Sequence, residues 1–310
     1  MNIYLAPLEG ITTNIFRTNQ YKFFGGFDKY FTPFITPSEK GALGAKIKRD
    51  ILPENNKNQV LIPQILTNSS EGFLTMCKKL EQYGYKEFNL NLGCPSGTVV
   101  SKGRGSGFLA DTDRLNCFLD EIFKSNYKIS VKTRIGKENP DEFYKLLEIY
   151  NIYPLTELII HPRTRTDMYK NSPNWEIYKY ATQNTHHRLC YNGDIFTQAD
   201  YKKFIQAFPD TENIMLGRGA VANPALPLII KKTGQLSVTV LYEFYNKMYS
   251  DYKEILSGDT PLMFKMKELL FYMAELFNDN EKILKKIKKA KNTMELNSLV
   301  LELFSQHTLK

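Results

Sequence analysis

Eight short apolar runs, spaced so that a helix fits between most of them, constrain this chain more than any other feature. They cover residues 3–7, 30–36, 60–66, 87–92, 129–134, 158–161, 188–192 and 213–216. Helix-length segments with an apolar stripe lie between them, among them 71–83, 112–124, 141–150 and 198–208. Strands alternating with helices pair in parallel, and eight parallel strands close a (β/α)8 TIM barrel, an α/β fold. A doubly wound open sheet is the other arrangement the alternation allows. Beyond about Leu236 no strand-like run recurs. Helical periodicity over 240–256, 261–277, 281–291 and 293–304 predicts four helices there, with Gly258-Asp259 and Asn278-Asp279 as turns. The expected organisation is a catalytic barrel over 1–236 and a small C-terminal helical bundle over 237–310.

Composition narrows the partners. Lys and Arg number 41 against 33 Asp and Glu, a formal charge of +8. That excess suits a polyanion wherever the cations cluster. The four cysteines form no C-x-x-C pair and have no His at zinc spacing, so neither a disulfide framework nor a metal site is expected. The first residues lack the basic and long apolar regions of a signal peptide, and no stretch approaches the ~18 apolar residues of a membrane span. A cytoplasmic, soluble protein is expected, a monomer because no uncovered apolar helix stands out.

The active site of a β/α barrel lies where the strands end. In order, those ends carry Pro7, Leu8 and Glu9; Gln64; Asn91 and Cys94; Lys132 and Arg134; His161 and Arg163; Asn192, Gly193 and Asp194; and Gly217 with Arg218. Amides, an imidazole and glycines recur there in place of the mixed charges of a solvated face, which marks one convergent site. The last two groups end the seventh and eighth runs, where barrels commonly hold phosphate. Glycine lets backbone N–H groups approach an anion closely, and Arg218 adds a charged donor. Each glycine motif alone is also an ordinary turn. Lys132, in the apolar run with Ile129 and Val131, fits either a Schiff base or a positive charge beside an electron-rich ring such as a flavin's. Gln64 and His161 are candidate hydrogen-bond partners of the same ring.

Cys94 sits in Asn91-Leu92-Gly93-Cys94-Pro95, where Gly93 and Pro95 impose a non-helical turn that lifts the thiol over the barrel mouth. Near its ordinary pKa of ~8.5 the thiol stays protonated at neutral pH and can serve as a general acid; at a lowered pKa it would be a nucleophile or base. The sequence leaves both open. The stretch 96–107, with Lys102 and Arg104, reads as a flexible basic lid over an anionic substrate.

At these residues the chain resembles the tRNA-dihydrouridine synthase family. The matching pieces are Leu5-Ala6-Pro7-Leu8-Glu9-Gly10, Pro63-Gln64, Asn91-Leu92-Gly93-Cys94-Pro95 with Lys102, Val131-Lys132-Thr133-Arg134, His161-Pro162-Arg163-Thr164, Asn192-Gly193-Asp194-Ile195 and Gly217-Arg218-Gly219-Ala220. They span the whole barrel in the family's order. The resemblance implies an FMN-binding barrel with a helical domain that helps to hold tRNA. It implies FMN contacts from Pro7, Leu8, Glu9, Gln64, Lys132, His161, Asn192, Gly193, Asp194, Gly217 and Arg218. Cys94 would protonate uracil C5 while reduced flavin delivers hydride to C6, and NADPH would re-reduce the flavin. Asn91, Lys102, Arg104, Arg134 and Arg163 would face the RNA. Thr13 and Asp167-Met168 depart from the family pattern at the rim, where they bear on which uridine is read.

The helix expected over 281–291 carries six lysines among Ile283, Leu284 and Ile287; Lys285, Lys286 and Lys289 are candidate contacts to RNA backbone. The rival functions are a dihydroorotate-dehydrogenase-like flavoenzyme, which has no use for a basic tail, and an RNA-binding barrel without turnover, against which Cys94 and Lys132 argue.

Overall fold

Side chains alternate across each strand of the barrel wall, so every strand serves two environments. The computed structural model describes residues 1–37 and 43–310. Its strands are β1 (Asn2–Leu5), β2 (Lys29–Phe31), β3 (Leu61–Ile62), β4 (Gln64–Ile65), β5 (Glu87–Leu92), β6 (Lys128–Arg134), β7 (Leu158–His161), β8 (Leu189–Tyr191) and β9 (Asn213–Leu216). All pair in parallel, in the order β3-β2-β1-β9-β8-β7-β6-β5-β4.

Among the described residues nine strands replace the expected eight, for a local reason. The third run is one strand interrupted at Pro63, which has no N–H to give the ladder. Its first half pairs with β2 and its second with β5. The Ile35–Ile65 bridge, with Ile35 N donating to Gln64 O at 2.8 Å, closes the ring across the break. The closed barrel stands, and the open sheet does not.

The helices are α1 (Asn14–Phe23), α2 (Ala45–Ile51), α3 (Ser70–Glu81), α4 (Gly97–Val100), α5 (Thr112–Phe123), α6 (Glu142–Tyr150), α7 (Trp175–Asn184), α8 (Gln198–Ala207), α9 (Arg218–Ala222) and α10 (Leu226–Lys231). Side-chain oxygens of Ser69, Asp111, Asn174 and Thr197 cap α3, α5, α7 and α8. The outward strand residues, such as Leu90, Val131 and Ile160, pack on these helices, while Tyr4, Phe31, Ile62, Ile159, Cys190 and Met215 fill the lumen as a separate apolar cluster.

The tail is α11 (Val238–Ile255), α12 (Asp259–Met273), α13 (Glu281–Lys289) and α14 (Thr293–Gln306). Four helices stand where four were expected. The core does not break at Leu236, however: Phe244 of α11 meets Phe16, Phe23 and Phe24 edge-on at 5.4–5.9 Å, so barrel shell and tail share one apolar cluster. Lys265 of α12 reaches the barrel mouth, donating to Gly10 O at 2.9 Å. Among the described residues no helix is long and apolar enough to cross a membrane, and no group of three or more His, Cys, Asp or Glu lies where it could hold a metal ion.

Candidate active site

A cavity of 340 Å³ opens at the C-terminal ends of the strands, within the size range of small-molecule pockets. Pro7, Leu8, Glu9, Asn91, Cys94, Lys132, Arg134, His161, Asn192, Gly193, Asp194, Gly217 and Arg218 all line it. These residues come from six different strand ends and are brought together only by barrel closure.

The Cys94 turn is held from three sides. From below, Asn91 Oδ1 accepts the N–H groups of Gly93 (3.0 Å) and Cys94 (2.9 Å). From the side, Arg134 Nε donates to Gly93 O at 3.0 Å. From above, Ser106 donates to Cys94 O through both N (3.1 Å) and Oγ (2.8 Å). Gly105, at φ +55°, makes that approach possible, since a Cβ there would stand 2.8 Å from Cys94 O. Burial pushes the half-buried Cys94 thiol up from its ordinary pKa, against the opposing pull of the Ser96 amide, Arg134 and Lys132. A thiol raised in this way keeps its proton at neutral pH, as a general acid requires.

Lys132 has the opposite character. Burial, with Arg134 nearby, lowers its pKa to about 8, and no hydrogen bond or ion pair among the described residues holds its ammonium. His161 is neutral, its pKa driven well below the usual value by burial and by Arg134, Lys132, Arg163 and Arg218. Its Nε2 lies 3.1 Å from Arg163 Nη1, and because a guanidinium only donates, the ring proton sits on Nδ1.

At the far wall Asp194 gathers two cations. Arg163 grips it with both terminal nitrogens, and Arg218 Nη2 donates to it at 2.7 Å. Tyr169 lies 4.3 Å and Phe196 5.2 Å from the Arg218 guanidinium. The N–H groups of Gly193, Asp194, Arg218 and Gly219 donate to no acceptor among the described residues. A Cβ on Gly193 would stand 2.1 Å from Tyr191 Oη, and one on Gly219 would stand 2.2 Å from Ile195 O, so the two loops need glycine to pack as they do. Free amides at one end and a free cation at the other fit a group with a phosphate tail and an electron-rich ring.

Other expected residues lie elsewhere. Gln64 is wholly buried below the cavity, bonded to Asn89 (2.8 Å) and Asn91 (2.7 Å), and does not line it. Asn91 borders the cavity, but its oxygen is spent on the Cys94 turn. Arg163 is 1% exposed, locked behind Asp194 rather than facing a substrate. Lys102 and Arg104 sit on the rim outside the cavity. Their segment is not the loose lid expected: α4 and a 3₁₀ turn (Gly105–Ala110) fold it onto Cys94. Lys285, Lys286 and Lys289 are exposed on α13, remote in sequence and packed chiefly with α12 and α14. Phe34, Tyr169 and Phe196 also line the cavity; Tyr169 matches the family pattern in the segment after His161-Pro162-Arg163-Thr164, whereas nothing in the spacing of Phe34 and Phe196 marks them, since loop geometry alone brings them in.

Comparison with known proteins agrees with this geometry. Over 227 residues, 71% of this chain and 68% of the relative, the chain is 30% identical to a probable tRNA-dihydrouridine synthase of Staphylococcus aureus. It is 29% identical to probable tRNA-dihydrouridine synthase 2 of Bacillus subtilis over 71% of this chain and 69% of that one. Among solved structures, an old yellow enzyme homologue from Zymomonas mobilis aligns with a TM-score of 0.53 at 10% identity, covering 76% of this chain and 90% of that one. Morphinone reductase aligns at 0.52 and 10% over 76% and 87%. These two likenesses bear on the barrel fold. The family model described as dihydrouridine synthase (Dus) matches residues 4–308, strand ends and helical tail alike, and with that match the chain belongs to the dihydrouridine synthase family.

Proposed function

We propose that this chain is an oxidoreductase that reduces the C5–C6 double bond of uridines in tRNA, giving dihydrouridine, with FMN as its bound flavin and NADPH as the reductant. One observation carries the reading: a protonated thiol, an unpartnered cation and two loops of free amides converge on a single cavity. A bound flavin would supply hydride for uracil C6. Cys94 would hold a proton for C5. Lys132 lines the same cavity and would offer its positive charge to the flavin ring, and an anion beside it would return its lowered pKa toward the ordinary lysine range. Gly193, Asp194, Gly217, Arg218 and Gly219 offer the amides for the phosphate, with Pro7, Leu8, Glu9, His161 and Asn192 around the ring. The names of the bacterial relatives support tRNA as the substrate.

The target base must leave its stack to enter, at a cost of a few kcal/mol, which favours loop uridines. The exposed lysines of α13, Lys285, Lys286 and Lys289, contact RNA backbone in this reading. The test is to incubate the purified protein with FMN, NADPH and unmodified tRNA and to map dihydrouridine by mass spectrometry. New dihydrouridine at defined loop positions is expected; none at any position, with flavin bound, sinks the proposal. Reversing the three lysines to Glu should weaken tRNA binding and flatten its salt dependence.

A further inference from the structure

The inner faces of β4, β5 and β6 carry a row of polar residues that the reaction itself does not call for. Gln64, Asn89 and Ser130 are all 0% exposed and Asn91 only 7%. They are joined in a single file. Ser130 Oγ lies 3.3 Å from Phe88 O, and Asn89 Nδ2 lies 2.9 Å from Ser130 Oγ. Gln64 Nε2 donates to Asn89 Oδ1 at 2.8 Å, and Asn91 Nδ2 donates to Gln64 Oε1 at 2.7 Å. Asn91 Oδ1 then accepts from Gly93 N and Cys94 N.

The direction of every bond in this file is forced. A backbone carbonyl at one end can only accept, and two backbone N–H groups at the other can only donate. Asn91 must turn its oxygen to those N–H groups, so its nitrogen must meet an oxygen of Gln64. Gln64 must then give its nitrogen to Asn89, and Asn89 must give its nitrogen to Ser130, whose hydroxyl is left to donate to Phe88 O. Turning Gln64 or Asn91 over sets like against like at both its neighbours, and turning Asn89 over does so at Gln64 and draws the Ser130 hydroxyl away from Phe88 O. Gln64, Asn89 and Ser130 are closed to bulk solvent, which therefore does not relieve such a mismatch.

We propose that Asn89, backed by Ser130, is a positioning residue for the Cys94 acid: it fixes the face Gln64 presents, Gln64 fixes Asn91, and Asn91 holds the turn that aims the thiol. The inference rests on the proposed role of Cys94, and it gives the buried Gln64 a task that needs no ligand contact. Replacing Asn89 with Ala removes the acceptor for Gln64 Nε2, so Gln64 is held only through Asn91 and is free to shift. Asn89→Asp keeps an oxygen at the same place and preserves the direction of the file beyond it.

The test compares wild type, Asn89→Ala and Asn89→Asp. Two readouts are taken: uridine reduction at saturating tRNA, and the iodoacetamide alkylation rate of Cys94 against pH in flavin-free protein, with the other cysteines quantified by peptide mapping. Asn89→Ala should lose about 10-fold in kcat, with the KM for tRNA unchanged, and Cys94 should alkylate several-fold faster as its turn loosens. Asn89→Asp should recover most of both. Wild-type behaviour of the alanine variant, equal damage in both variants, or a loss confined to KM overturns the proposal. If Asn89→Ala fails to fold, Ser130→Ala carries the test: a smaller kcat loss in the same direction is expected, and an unaltered kcat overturns the role. A wild-type protein that reduces no uridine refutes the proposed function instead, and the alkylation comparison still decides the relay.

Discussion

The lumen of this barrel has two unlike halves. On β1, β2, β3, β7, β8 and β9 the inward residues are mostly apolar, Tyr4, Ala6, Phe31, Ile62, Ile159, Cys190 and Met215. On β4, β5 and β6 they are Gln64, Asn89, Asn91, Ser130 and Lys132. The apolar half is filled as an ordinary core is, by volume, and tolerates exchange among residues of similar size. The polar half is held by direction: each amide has one allowed orientation, and a missing partner leaves a buried group unpaired at ~1–3 kcal/mol. Cys94 and Lys132 both stand on the polar half. The acid is thereby fixed by hydrogen bonds that cannot slide, whereas the packed half supplies a rigid wall beneath His161 and the two glycine loops. The comparison predicts that substitutions in the polar half act on turnover and those in the apolar half on stability.

The largest expected effect is at Cys94. Cys94→Ala should leave flavin binding and the melting temperature close to wild type while uridine reduction falls by ~10²–10⁴, the usual worth of a placed general acid. A variant with undiminished turnover removes the acid from the polar half and breaks the comparison. Because burial raises the thiol's pKa, wild-type activity should hold through neutral pH and decline only on the alkaline side as Cys94 loses its proton. A decline that begins below pH 7 would contradict this direction.

Lys132→Met sharpens the contrast, because it should lower activity and raise stability together. An ammonium held in the lumen with no partner among the described residues is a cost to the flavin-free protein: burial lowers its pKa to about 8 from an ordinary 10.5. The unfolded chain therefore binds the proton more tightly, and the penalty is complete below pH 8 and fades between pH 8 and 10.5. The methionine variant should gain roughly 1–3 kcal/mol at pH 7, after allowance for water at the mouth, and lose that advantage by about pH 10.5. Its flavin should fail to develop the anionic reduced spectrum, and turnover should fall by at least ~10². A less stable flavin-free variant at pH 7 would mean that Lys132 has a partner in the folded chain.

Much of this was legible in the sequence, and the limits have physical causes. Runs such as 87–92 and 158–161 gave their strands to the residue because Phe88, Leu90 and Leu92 alternate with polar residues in the first, and the second is a short continuous apolar run that ends at His161. The residues that line the cavity were readable as strand ends, since a parallel barrel puts all such ends on one face. Gln64 and Arg163 were readable as polar and near the site, but a hydrogen-bonding direction is not a pattern in one dimension. Gln64 faces Asn89 and Asn91, and Arg163 faces Asp194, and both pairings depend on strand register. The alternation of Asn89 with Asn91 in an otherwise apolar strand was a signal that both share the inner face. Of the two rings that flank Arg218, Tyr169 was marked only by its match to the family segment after Thr164, and Phe196 gave no signal, because loop conformation alone brings it there.

The smallest effect lies at the floor of the apolar half. Glu157, just before β7, is 1% exposed; its Oε1 accepts from Tyr4 Oη at 3.0 Å, while Oε2 has no partner. Burial raises its pKa to about 7 from 4.5, although Lys29, paired with Glu87 at 3.0 Å, and the Tyr4 hydroxyl pull the other way. The folded chain thus holds this proton more tightly than the unfolded one, and stability falls as pH rises from 4.5 to 7. Glu157→Gln keeps the shape and the acceptor for Tyr4 without the charge. It should match wild type in stability near pH 4.5 and exceed it above pH 7 by on the order of 1–3 kcal/mol, seen as a rise of a few degrees in Tm. Turnover should be unchanged, because no side-chain bond of the polar half passes through Glu157 and the Val131 N–H bond to its backbone carbonyl survives the substitution. A Tm advantage that is equally large at pH 4.5 would show that the gain comes from packing rather than from relief of a buried charge. A loss of turnover would show that the two halves of the lumen are coupled, and that the wall opposite Cys94 does more than fill space.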